Sequence, residues 1–188
     1  MKMLNILNEL RETQELAEFY TNGETEIFEV GNIVALNDKI FAFRSFSSNG
    51  DQTGIVAYSV EDIFQVLTNT KYLEKIKKLC TDNSYSDISN EIDESNIMLS
   101  ILNIALNRKE VISVKLMGNN DYNFIGFVES IDDNEFKIKL LDEYGYEDGF
   151  GYASIKDITE LVYMTEKERR HFRLWQFNQQ NEKKFEVS

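Results

Sequence analysis

Between Ile97 and Leu106 apolar side chains recur at helical spacing: Ile97, Ile101, Ile104 and Ala105 share one face, with Met98 and Leu102 beside them, which predicts an amphipathic helix. The period then drops to two. Val111, Ser113 and Lys115 alternate with Ile112, Val114 and Leu116 up to Gly118, a first strand. A polar turn, Asn119 to Tyr122, leads into Phe124 to Ile131, where the central Gly126 signals a bend or bulge rather than a strand end. Asp132-Asp133-Asn134 reads as a tight hairpin turn. Phe136, Ile138 and Leu140 then alternate with Lys137 and Lys139, as in a half-buried strand. Beyond the turns Tyr144-Gly145 and Asp148-Gly149, Phe150 to Ile155 and Ile158 to Tyr163 are predicted as a fourth and a fifth strand.

The same pattern occurs earlier in the chain. Residues 3 to 70 overlay residues 98 to 165 without a gap, each match lying 95 positions after its partner, as Gly126 does after Gly31. The identities include Met3/Met98, Leu4/Leu99, Ile6/Ile101, Leu7/Leu102, Asn8/Asn103, Gly23/Gly118, Asp38/Asp133, Phe41/Phe136, Gly50/Gly145, Gly54/Gly149, Ser59/Ser154, Asp62/Asp157 and Ile63/Ile158. Glycines kept in one register mark turns or close backbone approach, so a tandem duplication is predicted. In the first copy Leu16 to Thr21, Phe41 to Arg44, Ile55 to Val60 and Ile63 to Leu67 read as strands, and Tyr72 to Leu79 as a closing helix. The predicted organisation is a first repeat over 1–79, an acidic linker over 80–96, a second repeat over 97–164 and a terminal helix over 165–188. In that helix Thr165-Glu166-Lys167-Glu168 fits a capping box.

A helix followed by five bent antiparallel strands, with Gly126-Phe127-Val128-Glu129-Ser130-Ile131-Asp132 and Gly31-Asn32-Ile33-Val34-Ala35-Leu36-Asn37 at matching places, resembles the Sm-like family that includes the Sm, LSm and Hfq proteins. The resemblance covers about 65 residues of each copy. It implies a mainly β fold with flanking helices (α+β), built as two tandem Sm-like or SH3-like small barrels with a tendency to associate through strand edges. Both copies depart from the family's nucleotide-contacting pattern. The position of the base-contacting Asn falls on Phe136 or Lys137, and on Phe41 or Ala42 in the first copy, and no Arg-Gly follows near the last strands. The family's RNA-binding role therefore transfers to no residue here.

The hydrophobic content of 42%, with 12% aromatic, is that of a folded protein. No stretch reaches the ~18 apolar residues of a membrane helix, and Asn5, Asn8 and Glu9 interrupt what could be taken for a signal sequence, so no membrane association is expected. A single cysteine, Cys80, forms no disulfide within the chain and agrees with a cytoplasmic location. The net charge of −13 repels polyanions unless cations gather on one face.

Candidate chemistry is sparse. His171 reads as a surface residue of the terminal helix, and Cys80 lies at a helix end beside Lys77 and Lys78 without a histidine nearby in sequence. The turn Asp142 to Gly149 lacks the alternate-residue carboxylates of a calcium loop, and its counterpart Ser47 to Gly54 holds one carboxylate, so a solvated hairpin is expected. No catalytic residue, metal or cofactor is assigned. The terminal helix is the one cationic stretch: Arg169, Arg170 and Arg173 interleave with Phe172, Trp175 and Phe177, and Lys183 and Lys184 follow. Arg169, Arg170, Arg173 and Trp175 are the candidate interaction residues. Two readings follow: a non-enzymatic module whose two Sm-like barrels form a pseudo-dimer and bind a protein partner, or an RNA-binding regulator using the terminal helix. The acidic balance favours the first, and self-association through strand edges is open to either.

Overall fold

A computed structural model describes residues 3–21, 26–80, 88–118 and 121–186, with side chains to residue 181. Gly23 and residues 81–87 of the expected linker lie outside the described residues. The chain is mainly β with flanking helices and divides into two compact units, Met1–Ser100 and Ile101–Ser188.

The first unit runs α1 (Met3–Thr13), β1 (Ala17–Thr21), β2 (Glu29–Leu36), β3 (Ile40–Phe46), β4 (Gln52–Ser59), a 3-10 turn (Val60–Asp62), β5 (Ile63–Thr68) and α2 (Lys71–Leu79). Its strands pair antiparallel in the order β5-β1-β2-β3-β4. After α3 (Ile97–Arg108), which crosses the unit boundary, come β6 (Val111–Leu116), β7 (Phe124–Asp132), β8 (Glu135–Leu141), β9 (Glu147–Ser154), a 3-10 turn (Ile155–Asp157), β10 (Ile158–Tyr163) and α4 (Glu166–Glu186). The second unit's order, β10-β6-β7-β8-β9, is the same topology shifted by one repeat.

The ladders keep the sequence offset pair by pair. Ala17 faces Gly31 as Ile112 faces Gly126, Ile33 faces Phe43 as Val128 faces Ile138, and Thr21 faces Ile63 as Leu116 faces Ile158. Even the bulges correspond: β2 slips between Ile33 and Ala35, and β7 between Val128 and Ser130. Gly31 and Gly126 sit where neighbouring strands crowd. A Cβ on Gly126 would lie 1.8 Å from the Lys139 carbonyl oxygen, and one on Gly31 2.5 Å from that of Arg44. Phe41 and Phe136 occupy equivalent core positions and are fully buried. Around them Phe19, Phe43 and Tyr58 form a cluster of rings in the first unit, whereas Phe136 meets Phe124 edge-on in the second.

Several expectations are corrected. Each unit was expected to be a small Sm-like or SH3-like barrel; within each, the five-stranded sheet is open, with the fourth and fifth strands at opposite ends of the order. Leu141 is buried and Leu140 only partly so, because Leu141 lies on the Lys139 face of β8, opposite Ile138, where it packs with Val111 and Phe127. β9 begins at Glu147 rather than Phe150, and Ile155 opens a 3-10 turn instead of ending a strand. Residues 88–96, expected as linker, carry two 3-10 turns and bury Ile88 and Ile92. Polar anchors hold this segment: Asn37 Nδ2 donates to Glu94 O (2.8 Å), Arg44 Nη2 to Ser89 Oγ (3.0 Å), and Arg11 pairs with Glu94 at 2.5 Å.

The repeat also extends beyond residue 70. Gly50, at φ +82°, packs on Leu79 and Cys80 at the end of α2; Gly145, at φ +80°, packs on Leu174 and Trp175 within α4. These contacts keep the same offset. α4 is therefore the second copy's α2, continued by about three turns, and not an appended element.

Candidate interaction surfaces

α4 holds the four candidate interaction residues, and its start shows why it is placed there. Thr165 caps it: Glu168 Oε2 accepts from the Thr165 backbone N–H (3.1 Å) and from its hydroxyl, and Glu168 Oε1 accepts from Ser113 Oγ on β6. Glu168 is buried by this, its charge matched by three donors at a helix N-terminus. The first copy makes the same joint with its carboxylate on the strand: Glu18 accepts from Thr70, whose hydroxyl caps the Leu73 N–H (3.2 Å). Positions 18, 70 and 73 thus correspond to 113, 165 and 168.

With the helix docked this way, the four candidates separate. Trp175 packs in a satellite core with Val111, Phe127 and Leu141, its ring 4.8 Å from that of Phe127, and Nε1 donates to Glu147 Oε1 (3.3 Å). Arg169 is half-buried and donates to the Met164 carbonyl (3.0 Å). Arg170 and Arg173 are exposed, one turn apart on the helix, with Arg173 Nε reaching the Arg169 carbonyl at 3.4 Å. Lys183 and Lys184 have side chains outside the described residues. His171, expected on the surface, is buried at the position equivalent to Ile76, with Nδ1 2.9 Å from Lys167 O. Cys80 is exposed at the C-cap of α2, where its N–H donates to Ile76 O. Among the described residues no group of three or more His, Cys, Asp or Glu is placed to hold a metal ion.

A second surface was not anticipated. Phe150 and Tyr152 on β9 are 50% and 69% exposed, whereas their equivalents Ile55 and Ala57 on β4 are 2% and 0% exposed. The register explains their direction. Phe150 faces Lys139 and Tyr152 faces Lys137, so both rings lie on the face that carries the lysines, while Gly151 and Ala153 take the face occupied by Phe124 and Phe136. Lys137 Nζ sits 3.9 Å from the Phe150 ring centroid and 5.9 Å from that of Tyr152. Tyr144 and Tyr146, in the preceding turn, are exposed as well.

Charges on this face are mostly paired. Lys139 lies 3.4 Å from Glu129 and 3.3 Å from Glu147. Burial works against its charge, yet the Glu147 hydrogen bond and both carboxylate charges prevail and raise its pKa. Asp142 is consumed by its own turn: Oδ1 accepts from the N–H groups of Tyr144 (2.9 Å) and Tyr146 (2.8 Å), the role Ser47 Oγ plays for Asn49 and Asp51. The turn is a hairpin whose residues Glu143, Tyr144 and Tyr146 to Gly149 are exposed or nearly so. The signal for the aromatic face was present in the turn, where Tyr144 and Tyr146 stand opposite Asn49 and Asp51 of the first copy.

No family model matches the chain, and no curated protein matches it. Among solved structures, the crystal structure of YcgR in complex with c-di-GMP from Escherichia coli aligns over 98% of this chain and 93% of its own, at 6% identity and a TM-score of 0.19. A similarity at that level carries no argument about fold or function.

Proposed function

We propose that this chain is a non-enzymatic interaction module, two Sm-like units acting as a pseudo-dimer that binds a protein partner in the cytoplasm. The observation that carries the reading is the exposed aromatic surface of the second unit, Tyr144, Tyr146, Phe150 and Tyr152, at positions that are polar or buried in the first. Large aromatic side chains gathered in water mark contact surfaces. The Sm-like part is supported by the helix and five antiparallel strands of each copy and by the matched bulges that bend the second strand. Absence of catalysis is supported by the places of Cys80, at a helix end, and His171, buried against its own helix. No helix among the described residues is long and apolar enough to cross a membrane.

The RNA-binding reading rests on Arg170 and Arg173, and with a net charge of −13 two exposed arginines are a small footprint. Fluorescence anisotropy with uridine-rich and adenine-rich single strands at about 150 mM salt decides between the readings, because unspecific phosphate contacts are already weak there. No binding is expected. Sub-micromolar binding that persists in the R170E/R173E variant would overturn the protein-interaction reading.

A further inference from the structure

The two copies differ in what crosses one face of their sheets. In the first unit Arg44 on β3 stands opposite Ile55 on β4, and Ala42 opposite Ala57, so these four side chains share a face. Ala42, Ile55 and Ala57 are buried. Arg44 Nη2 donates to Ser89 Oγ (3.0 Å), and in the β2–β3 turn Asn37 Nδ2 donates to the Glu94 carbonyl (2.8 Å), so the chain between Ser89 and Glu94 passes along β3 from Arg44 to that turn. It does so as a 3-10 turn, Ser89–Glu91, with Ile88 and Ile92 buried on either side. The matching face of the second unit carries Lys137, Lys139, Phe150 and Tyr152, and both of its rings are exposed. The first copy's chain leaves its helix at Leu79–Cys80 and lies on this face from Ile88 onward. At the equivalent Leu174–Trp175, α4 instead runs on to Glu186 beside the Tyr144 turn, where Asn178 Nδ2 donates to the Tyr144 carbonyl (3.0 Å).

We propose that this face of β8 and β9 receives a short segment of another protein, which docks over Lys139, Phe150 and Tyr152 as residues 88–94 dock in the first unit. The segment carries two aliphatic residues at the places of Ile88 and Ile92, a hydroxyl at that of Ser89 and no negative charge at that of Glu94. This rests on the protein-interaction reading and specifies its ligand. The aliphatic pair follows from the rings, whose apolar surface stays in water until apolar side chains cover it. The hydroxyl follows from Lys139, which stands where Arg44 does. Its ammonium has three N–H donors, of which Glu129 (3.4 Å) and Glu147 (3.3 Å) take two, and an oxygen at the place of Ser89 completes the set. The far end differs from the first unit: Asn37 and Arg11, which hold Glu94, are replaced by Asp132 and Leu106, so a carboxylate there is repelled. The contact is made through side chains on the sheet's face and needs no strand pairing. A second copy of this chain fits less well, because its own residues 88–94 are already seated and it brings another −13 of charge.

The test uses the full chain and a fluorescein-labelled peptide with the sequence of residues 88–96 carrying E94K, read by anisotropy at about 150 mM salt. Saturable binding is expected, weakened at least tenfold when the peptide also carries I88S/I92S. The F150S/Y152S variant, altered only at exposed positions and checked for an unchanged melting curve, is expected to lose at least tenfold in affinity. K137A/F150I/Y152A installs the first copy's residues on the face and is expected to bind at least as tightly as wild type; with the peptide pair it decides the matter should F150S/Y152S melt differently. Any one of three results overturns the proposal: no saturable binding to wild type, equal affinity for the two peptides, or equal affinity of wild type and a well-folded F150S/Y152S. So does weaker binding by K137A/F150I/Y152A, or a dimer in sedimentation that F150S/Y152S dissolves, which would make the occupant a second copy. Failure of this ligand is distinct from failure of the protein-interaction reading, which sub-micromolar RNA binding by R170E/R173E would signal.

Discussion

At Gly126 the chain has no room for even one carbon. An added Cβ would meet a backbone oxygen of the next strand, which cannot rotate away, so Gly126→Ala is expected to destabilise the protein by at least the ~1–3 kcal/mol of core overpacking, read as a lower urea midpoint. An unchanged midpoint would mean that β7 and β8 are less closely apposed there. The buried phenylalanines test the opposite error, lost volume: Phe41→Ala and Phe136→Ala should each cost about 3–5 kcal/mol, with Phe41 at the upper end because its ring touches three others. Tyr163 supplies a pH dependence. Burial first, then its hydrogen bond to Glu110 and that carboxylate's charge, raise its pKa well above the ordinary phenol value of about 10. A phenol held neutral in the folded state contributes stability fully below the unfolded pKa and loses it as pH rises past about 10. Wild type should therefore lose more of its urea midpoint between pH 8 and 11 than Tyr163→Phe does, and parallel losses would refute the assignment.

Elements show how far a duplicated sequence can drift while its joints persist. The strand-to-helix joint uses Glu18, Thr70 and Leu73 in one copy and Ser113, Thr165 and Glu168 in the other, so the carboxylate has moved from strand to helix while the threonine cap stayed. Glu168→Ala should cost about 1–3 kcal/mol, because the buried Ser113 hydroxyl loses its acceptor. Combining Ser113→Glu with Glu168→Leu recreates the first copy's arrangement and should be less destabilising than the two single changes added together, by a coupling of about 0.5–3 kcal/mol in chemical denaturation. Strict additivity would show that the two joints are not interchangeable. Strands were readable in the sequence because alternation leaves a residue-level trace, and α3 because Ile97, Met98, Ile101, Leu102, Ile104 and Ala105 are all buried as their spacing required. The kinship of α2 and α4 was hidden: Thr70/Thr165 and Leu79/Leu174 are identical, but every residue between them differs. Direction on β9 was hidden too, since Phe150 and Tyr152 alternate like core residues and only the register against Lys139 and Lys137 turns them outward.

For the molecule as a whole, composition and charge narrowed the class of function while burial decided which segments belong to which unit. The acidic, polar stretch before α3 has the composition of a linker, yet Ile88 is wholly buried and Ile92 nearly so. Two isoleucines among Asp, Asn, Ser and Glu leave little periodic signal, and the polar anchors of the segment reach back to Arg11, Asn37 and Arg44, so no local pattern could report it. The consequence concerns folding. A domain of about 80 residues has little spare core, and burying one aliphatic side chain contributes about 1.5–3 kcal/mol. A fragment of residues 1–80 would lose Ile88 and Ile92 together with the Asn37, Arg44 and Arg11 contacts to Glu94 and Ser89. Its marginal stability should therefore be exhausted: thermal melting followed by circular dichroism should show a broad, non-cooperative transition, with self-association in sedimentation as apolar surface meets its like. A monomeric fragment 1–80 that melts cooperatively near the temperature of the full chain would show that residues 88–96 lie on the first unit without completing it.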